Sequence, residues 1–408
     1  MEKPVLNELV FLIKRLNNFK STNLARVKIV LFFLLILNYS CFFQNENKDN
    51  KQIKSSLLKK DFQILRQTLE EAHPGLYWYS DTFELNRFFD STYTALDKDM
   101  TPFAFFKMLL PLIAKVKCGH TNVRLSGGSD LDFIFTKILP FTFYSTKGKI
   151  YITNDYNNTG HKGEEIISIN NTPAKEIIQR ILNSLPADGF NETYKYNLLS
   201  KGAFLEGYAL YFGESETFTI ESIDSASLKP VSFTVKAMKA EALKGKNNSL
   251  QQPVFVNFKS NNIAILTINS FIIKSKEFSD SIKAILKSIR EKNIKHLIID
   301  LRQNGGEHNE NIPVLFSYLA TDSFLHLKRA EMNSGNFTYS HFFKNEGSFK
   351  NLRGINEHNG KYVMNYRYAG TSFKQPQKDY RFNGNVFYFN IRLYFISGFR
   401  ICCHCQIQ

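Results

Sequence analysis

The chain has little cysteine: Cys41 and Cys118 are the only two in its first 401 residues, so neither a disulfide framework nor a spaced metal module can run through it. Proline occurs eleven times and tryptophan once in 408 residues, which leaves no room for a polyproline or collagen-like architecture. Long hydrophobic runs are missing as well. The longest, residues 29–37, holds nine apolar side chains, a helix of about 14 Å against a hydrocarbon core of roughly 30 Å. Such a run cannot cross a bilayer and stay there. Dense basic blocks are also absent, although 52 Lys and Arg against 37 Asp and Glu give a formal net charge of +15. Residues 1–60 hold eleven of the basic and four of the acidic side chains, which leaves eight excess positive charges for the other 348 residues. Spread thinly and without interleaved aromatics, these read as solvated surface lysines, and no nucleic-acid partner is expected. What the chain does have is 43% hydrophobic and 14% aromatic residues, enough for two or three buried cores.

The N-terminal run is framed by Arg26 and Lys28 before it and by Asn38-Tyr39-Ser40-Cys41 after it. A basic flank, a short apolar centre and a small residue before a cysteine make a secretory signal, and Ser40-Cys41 resembles a lipoprotein signal with Cys41 as the lipidated residue. An ordinary buried helix is the competing reading. Residues 1–41 are thus expected to be an export segment and 42–58, rich in Asn, Gln, Lys and Ser, a solvated tether. The protein would then be periplasmic or anchored to a bacterial outer membrane, with the lipid as its membrane contact.

From 59 to 125 the pattern is helical. Apolar residues Phe62, Leu65, Leu69 and Ala72 recur at three- and four-residue steps before His73-Pro74-Gly75, a second helix is expected over 83–96, and Thr101-Pro102 supplies an N-cap and first-turn proline for a third. From 135 to 250 the pattern turns β-rich, with strands over 139–144 and 149–153 meeting at Lys147-Gly148. There the stretch from Gly163 to Pro173, followed by a helix over 174–182, resembles a PDZ domain, although any tight strand–turn–helix junction would use the same residues. From 251 to 390 a strand over 262–268, a helix over 278–289 and a strand over 296–301 form a βαβ unit, hence a parallel sheet with ligands at the strand ends.

The second of those strands runs into Asp300-Leu301-Arg302-Gln303-Asn304-Gly305-Gly306. Glycines at a strand tip let the backbone approach a ligand and turn N–H groups toward a developing anion, while a plain strand-ending turn would have the same composition. After strand, helix and strand, this stretch resembles the signature of the tail-specific, C-terminal-processing serine peptidases, in their tricorn-core-like branch. The resemblance implies a crotonase-like α/β protease core behind an N-terminal helical domain. It implies that Gly305 or Gly306 lends an N–H to an oxyanion hole; Asp300, Arg302 and Asn304 are read as structural braces of the turn. Glu307 stands where relatives often have a third glycine. Cys118-Gly119-His120-Thr121 resembles the element that supplies a histidine base in tricorn-like members, which makes His120 the candidate base. In the other branch a lysine serves, and it would lie beyond residue 408. His73-Pro74-Gly75-Leu76-Tyr77 and Met100-Thr101-Pro102 resemble the helical entry domain of the same members, so the likeness extends over 61–389.

The family strand before the nucleophile is matched by the stretch from Arg381 to Phe389, but the Thr-hydrophobic-Ser-Ala element that should follow is missing from 391–408. Ser397 is the only serine there, either a displaced nucleophile or a bystander. A shifted reading frame through the codons of Tyr394 to Gly398 can spell Thr-Leu-Ser-Ala and turn the cysteine codons of Cys402-Cys403-His404-Cys405 into alanines. Adjacent cysteines space metal ligands badly, so a zinc cluster in this tail is disfavoured, and no metal or cofactor is expected anywhere. The resemblance implies hydrolysis of protein or peptide bonds through an acyl-serine, by a chain whose in-frame nucleophile is lacking and which would then be inactive. A non-catalytic lipoprotein binding peptides or apolar ligands with the same fold is the alternative.

Overall fold

Helix α1 (Ser55–Ala72) buries Leu58, Phe62 and Leu69 along one stripe. In this computed structural model residues 52–125, 135–243, 252–259, 262–306, 308, 310–326, 330–334, 337–342, 356–358, 361–364 and 373–389 are described. The helix starts inside the expected tether: Leu58, one turn before Phe62, is fully buried, and Ile53 exchanges backbone hydrogen bonds with Met100 at 2.9 and 3.1 Å. Composition around 52–58 is polar, but one leucine in helical register with a core phenylalanine recruits the segment. The export segment, Cys41 and the rest of the tether lie outside the described residues, as do Glu307, Ser397 and the 391–408 tail.

Asp81 caps α2 (Thr82–Ala95) by accepting the Glu84 N–H at 3.0 Å, and Thr101 caps α3 (Pro102–Lys115) by accepting from Ala104 at 3.1 Å, with Pro102 in the first turn as expected. Phe62, Phe89, Leu96, Leu109 and Leu112 close one apolar cluster among the three helices. Fully burying each such side chain contributes about 1.5–3 kcal/mol before entropy is subtracted. Past α3, Lys117 takes a left-handed φ of 54° and swings the chain into the 118–121 turn.

The middle domain is an antiparallel meander of β1 (Phe141–Thr146), β2 (Lys149–Asp155), β3 (Glu165–Ile169), β4 (Thr217–Ile223) and β5 (Pro230–Lys236), paired in that order. Lys147 and Gly148, at φ 47° and 78°, make the expected hairpin turn. Between β3 and β4 the chain forms α4 (Ala174–Leu182), α5 (Glu192–Leu198) and α6 (Phe204–Phe212), and α4 buries Ile177, Ile178 and Ile181 against the sheet.

The third domain holds β6 (Val254–Phe258), β7 (Ile263–Ile268), α7 (Ser275–Glu291), β8 (His296–Asp300), α8 (Asn311–Ser317) and β9 (Asn385–Phe389). Its sheet runs β9-β8-β7-β6. Strands β7, β8 and β9 are parallel, with Ala264 opposite Leu297 and Leu297 opposite Val386. The expectation of a parallel sheet needs one correction: β6 pairs antiparallel with β7, because a tight connection from 258 to 263 can only reverse the chain. Helix α7 covers one face with Phe278, Ile282, Leu286 and Ile289, all at most 1% exposed. No helix among the described residues is long and apolar enough to cross a membrane.

Candidate active site

The β8 strand ends in a braced turn. Arg302 donates from Nε and Nη2 to the two Asp300 carboxylate oxygens at 2.9 and 2.7 Å, and its backbone N–H adds a third bond at 3.1 Å. The Arg302 hydrogen bonds hold the Asp300 carboxyl below the usual aspartate range despite partial burial. Behind the ion pair, Asn304 is buried and ties three pieces together. Its Nδ2 donates to Ile268 O at the end of β7 at 3.1 Å, its Oδ1 accepts the Gly306 N–H at 2.8 Å, and its own N–H returns to Leu301 O at 2.9 Å.

Gly306 sits at φ 98°, a conformation that only glycine takes without strain, and its carbonyl accepts the Phe271 N–H at 3.1 Å. The Gly306 amide is committed to Asn304 inside the turn, whereas Gly305 stands exposed at the apex. A residue without a sequence signal completes the scaffold: Asn311, fully buried at the start of α8, donates to Phe271 O and Ile273 O at 3.0 and 2.8 Å and so fixes the loop after β7.

His120 lies exposed on the turn that follows α3, closed by the Thr121 N–H to Cys118 O at 3.1 Å. It gathers with Cys118 and Asp188, the three ligating atoms lying within 4.8 Å of one another. Asp188 reaches this turn from the loop after α4 and accepts the Gly119 N–H at 2.8 Å. Burial raises the Cys118 thiol pKa, but hydrogen bonds with His120 and Thr121 outweigh it and leave the thiol below its ordinary value. Asp188 carried no signal in the sequence. Its role needs a contact across 69 positions.

His73 links this element to the third domain. Its Nδ1 accepts the Gly75 N–H at 3.2 Å, so Nε2 carries the proton and donates to Thr121 Oγ1 at 2.9 Å. The His73 carbonyl accepts from Asn333 Nδ2, and nearby Glu71 accepts from the Thr338 N–H and hydroxyl at 2.8 and 2.7 Å. The Asp300, Arg302, Asn304 and Gly306 group and the His120 group therefore belong to different domains, and His73, Asn333 and Thr338 hold those domains together. Beside Asp188 opens a cleft of about 1210 Å³ between the helical and middle domains. Four cations, Lys115, Lys117, Arg180 and Lys195, line it together with Asp188 and Glu192. Lys117 donates to Tyr79 O at 2.7 Å and rests 4.2 Å from the Phe190 ring centre, and burial lowers the Lys195 pKa.

Residues 262–384, from the start of β7 to the start of β9, match the signature of Peptidase family S41. Among solved structures, mature CPAF is similar at 13% identity and a TM-score of 0.46, over 67% of this chain and 60% of that one. The photosystem II D1 C-terminal processing protease is similar at 10% identity and a TM-score of 0.30, over 78% of this chain and 88% of that one. The chain thus spans three fifths of the length of mature CPAF. No curated protein matches it. The β7-α7-β8 unit with its Asp300-to-Gly306 tip lies inside the matched segment, so residues 262–384 of this chain carry the signature of Peptidase family S41.

Proposed function

We propose that the chain is an exported serine-type endopeptidase acting on protein or peptide substrates, with Ser397 as a displaced nucleophile, His120 as general base, Gly305 as an oxyanion donor and Asp188 as the carboxylate that orients the histidine. The observation that carries this reading is the strap through Asn304. It holds a glycine apex at the carboxyl ends of two parallel strands, where such sheets place their ligands, with the amide backbone fixed in advance. A histidine imidazole can take a hydroxyl proton and return it to the leaving amine. Export rests on the basic flank and short apolar run ahead of Cys41. The cationic cleft suits a peptide segment that carries carboxylates.

The test is labelling of the full chain with a fluorophosphonate probe, followed by mapping of the labelled peptide. Label on Ser397, the one serine beyond Phe389, that is lost in His120→Gln supports the reading. Folded protein that takes no label would overturn it, and would leave a binding module or a chain without an in-frame nucleophile.

A further inference from the structure

We propose that Cys118, His120 and Asp188 form a site for a thiophilic divalent cation, zinc, whose binding takes the proposed base out of service. Their thiol, imidazole and carboxylate atoms lie within 4.8 Å of one another, and each type is a zinc ligand. Ligand atoms around a tetrahedral zinc at about 2.0–2.3 Å sit somewhat closer together than that, so small side-chain rotations complete the set.

Two chain segments are fixed against each other at this point. Gly119 N–H holds Asp188 Oδ1 at 2.8 Å, Gly189 N–H holds Lys117 O at 2.9 Å, and the Thr121 N–H closes the turn on Cys118 O at 3.1 Å. Such outer hydrogen bonds orient ligands before a metal arrives. His120 is exposed, so a cation has a path in, and three protein ligands leave the fourth position for water. The thiol selects against magnesium and calcium, which prefer oxygen alone. On binding, the Cys118 proton goes to solvent and the sulfur-metal bond forms, with no change of oxidation state. The competition follows from lone pairs. An imidazole nitrogen bound to zinc cannot also accept a proton from a serine hydroxyl.

The regulatory half of this proposal rests on His120 being the base, while the site itself does not. Cobalt(II) is titrated into the reduced full chain while thiolate-to-cobalt charge-transfer absorption is followed. In a chain whose other cysteines, Cys41, Cys402, Cys403 and Cys405, are replaced by serine, the band is expected with Cys118 present and absent in Cys118→Ser, and Asp188→Asn is expected to weaken binding at least about tenfold. Circular dichroism checks that both variants fold. No band in the unmodified protein overturns the proposal. In a second arm, one equivalent of zinc is expected to slow fluorophosphonate labelling at least about tenfold, as for loss of a general base, and to leave Cys118→Ser unaffected. Zinc that binds without slowing the labelling overturns the competition. A charge-transfer band in a protein that never labels leaves the metal site standing and removes the peptidase reading alone.

Discussion

Asn304 is 5% exposed, and its side-chain amide is used at both ends, on Ile268 O and on the Gly306 N–H. Asn304→Ala leaves a buried carbonyl and a buried N–H without partners, at a cost of about 1–3 kcal/mol in urea unfolding. Asn304→Asp keeps the acceptor for Gly306 and loses the donor, so its unfolding midpoint should fall between the other two. His73 offers a pH test. Burial holds its pKa below the ordinary histidine value, so the folded chain takes up a proton less readily than the unfolded one. That stability is complete above the unfolded pKa and is lost as pH falls toward the folded one. Between about pH 7 and pH 5 the melting temperature should therefore drop more steeply in the unmodified chain than in His73→Asn, which replaces only the Nδ1 acceptor. Equal slopes would remove His73 as the source.

At the scale of elements, the parallel entry of β9 beside β8 depends on Gly384. A Cβ there would stand 2.2 Å from the Lys295 carbonyl oxygen, and backbone cannot move aside as a flexible side chain can. Gly384→Ala should destabilise the third domain by about 1–3 kcal/mol, read as a lower urea midpoint with the helical domain unaffected. The α3 cap and the Lys147-Gly148 hairpin were readable because their signals are local: Thr101 meets the N–H three residues on, and the turn needs only two left-handed residues. The start of α1 was misplaced by a polar composition that hides the one buried side chain, Leu58. The antiparallel β6 was missed because its five residues are only partly buried and give no clean alternation.

Over the whole molecule, the family segment and the helical domain are coupled where Glu71 receives two hydrogen bonds from Thr338 and His73 receives one from Asn333. Burial pushes the Glu71 carboxyl up, but the Thr338 and Gln67 donors outweigh it and leave it below the usual glutamate range. Glu71→Ala should raise amide hydrogen exchange in 337–342 and around His73 and leave the β7-β8 core protected. Unchanged exchange in both segments would show that this contact does not couple the domains. A coupling of this kind is what would hold a base on one domain against an oxyanion donor on another.

The sequence alone determined the three N-terminal helices, the Lys147-Gly148 hairpin, the βαβ unit and the strand-tip turn, because helix caps, hydrophobic period and glycine conformations are set by residues within a few positions of one another. It also carried the family resemblance, in the run from Asp300 to Gly306. The tertiary structure decided that Asn304 and Asn311 fasten the loops behind that turn, and that Asp188 meets Cys118 and His120. Those outcomes depend on contacts spanning 36, 40 and 69 positions, and no local pattern encodes a hydrogen bond that exists only once distant segments have packed.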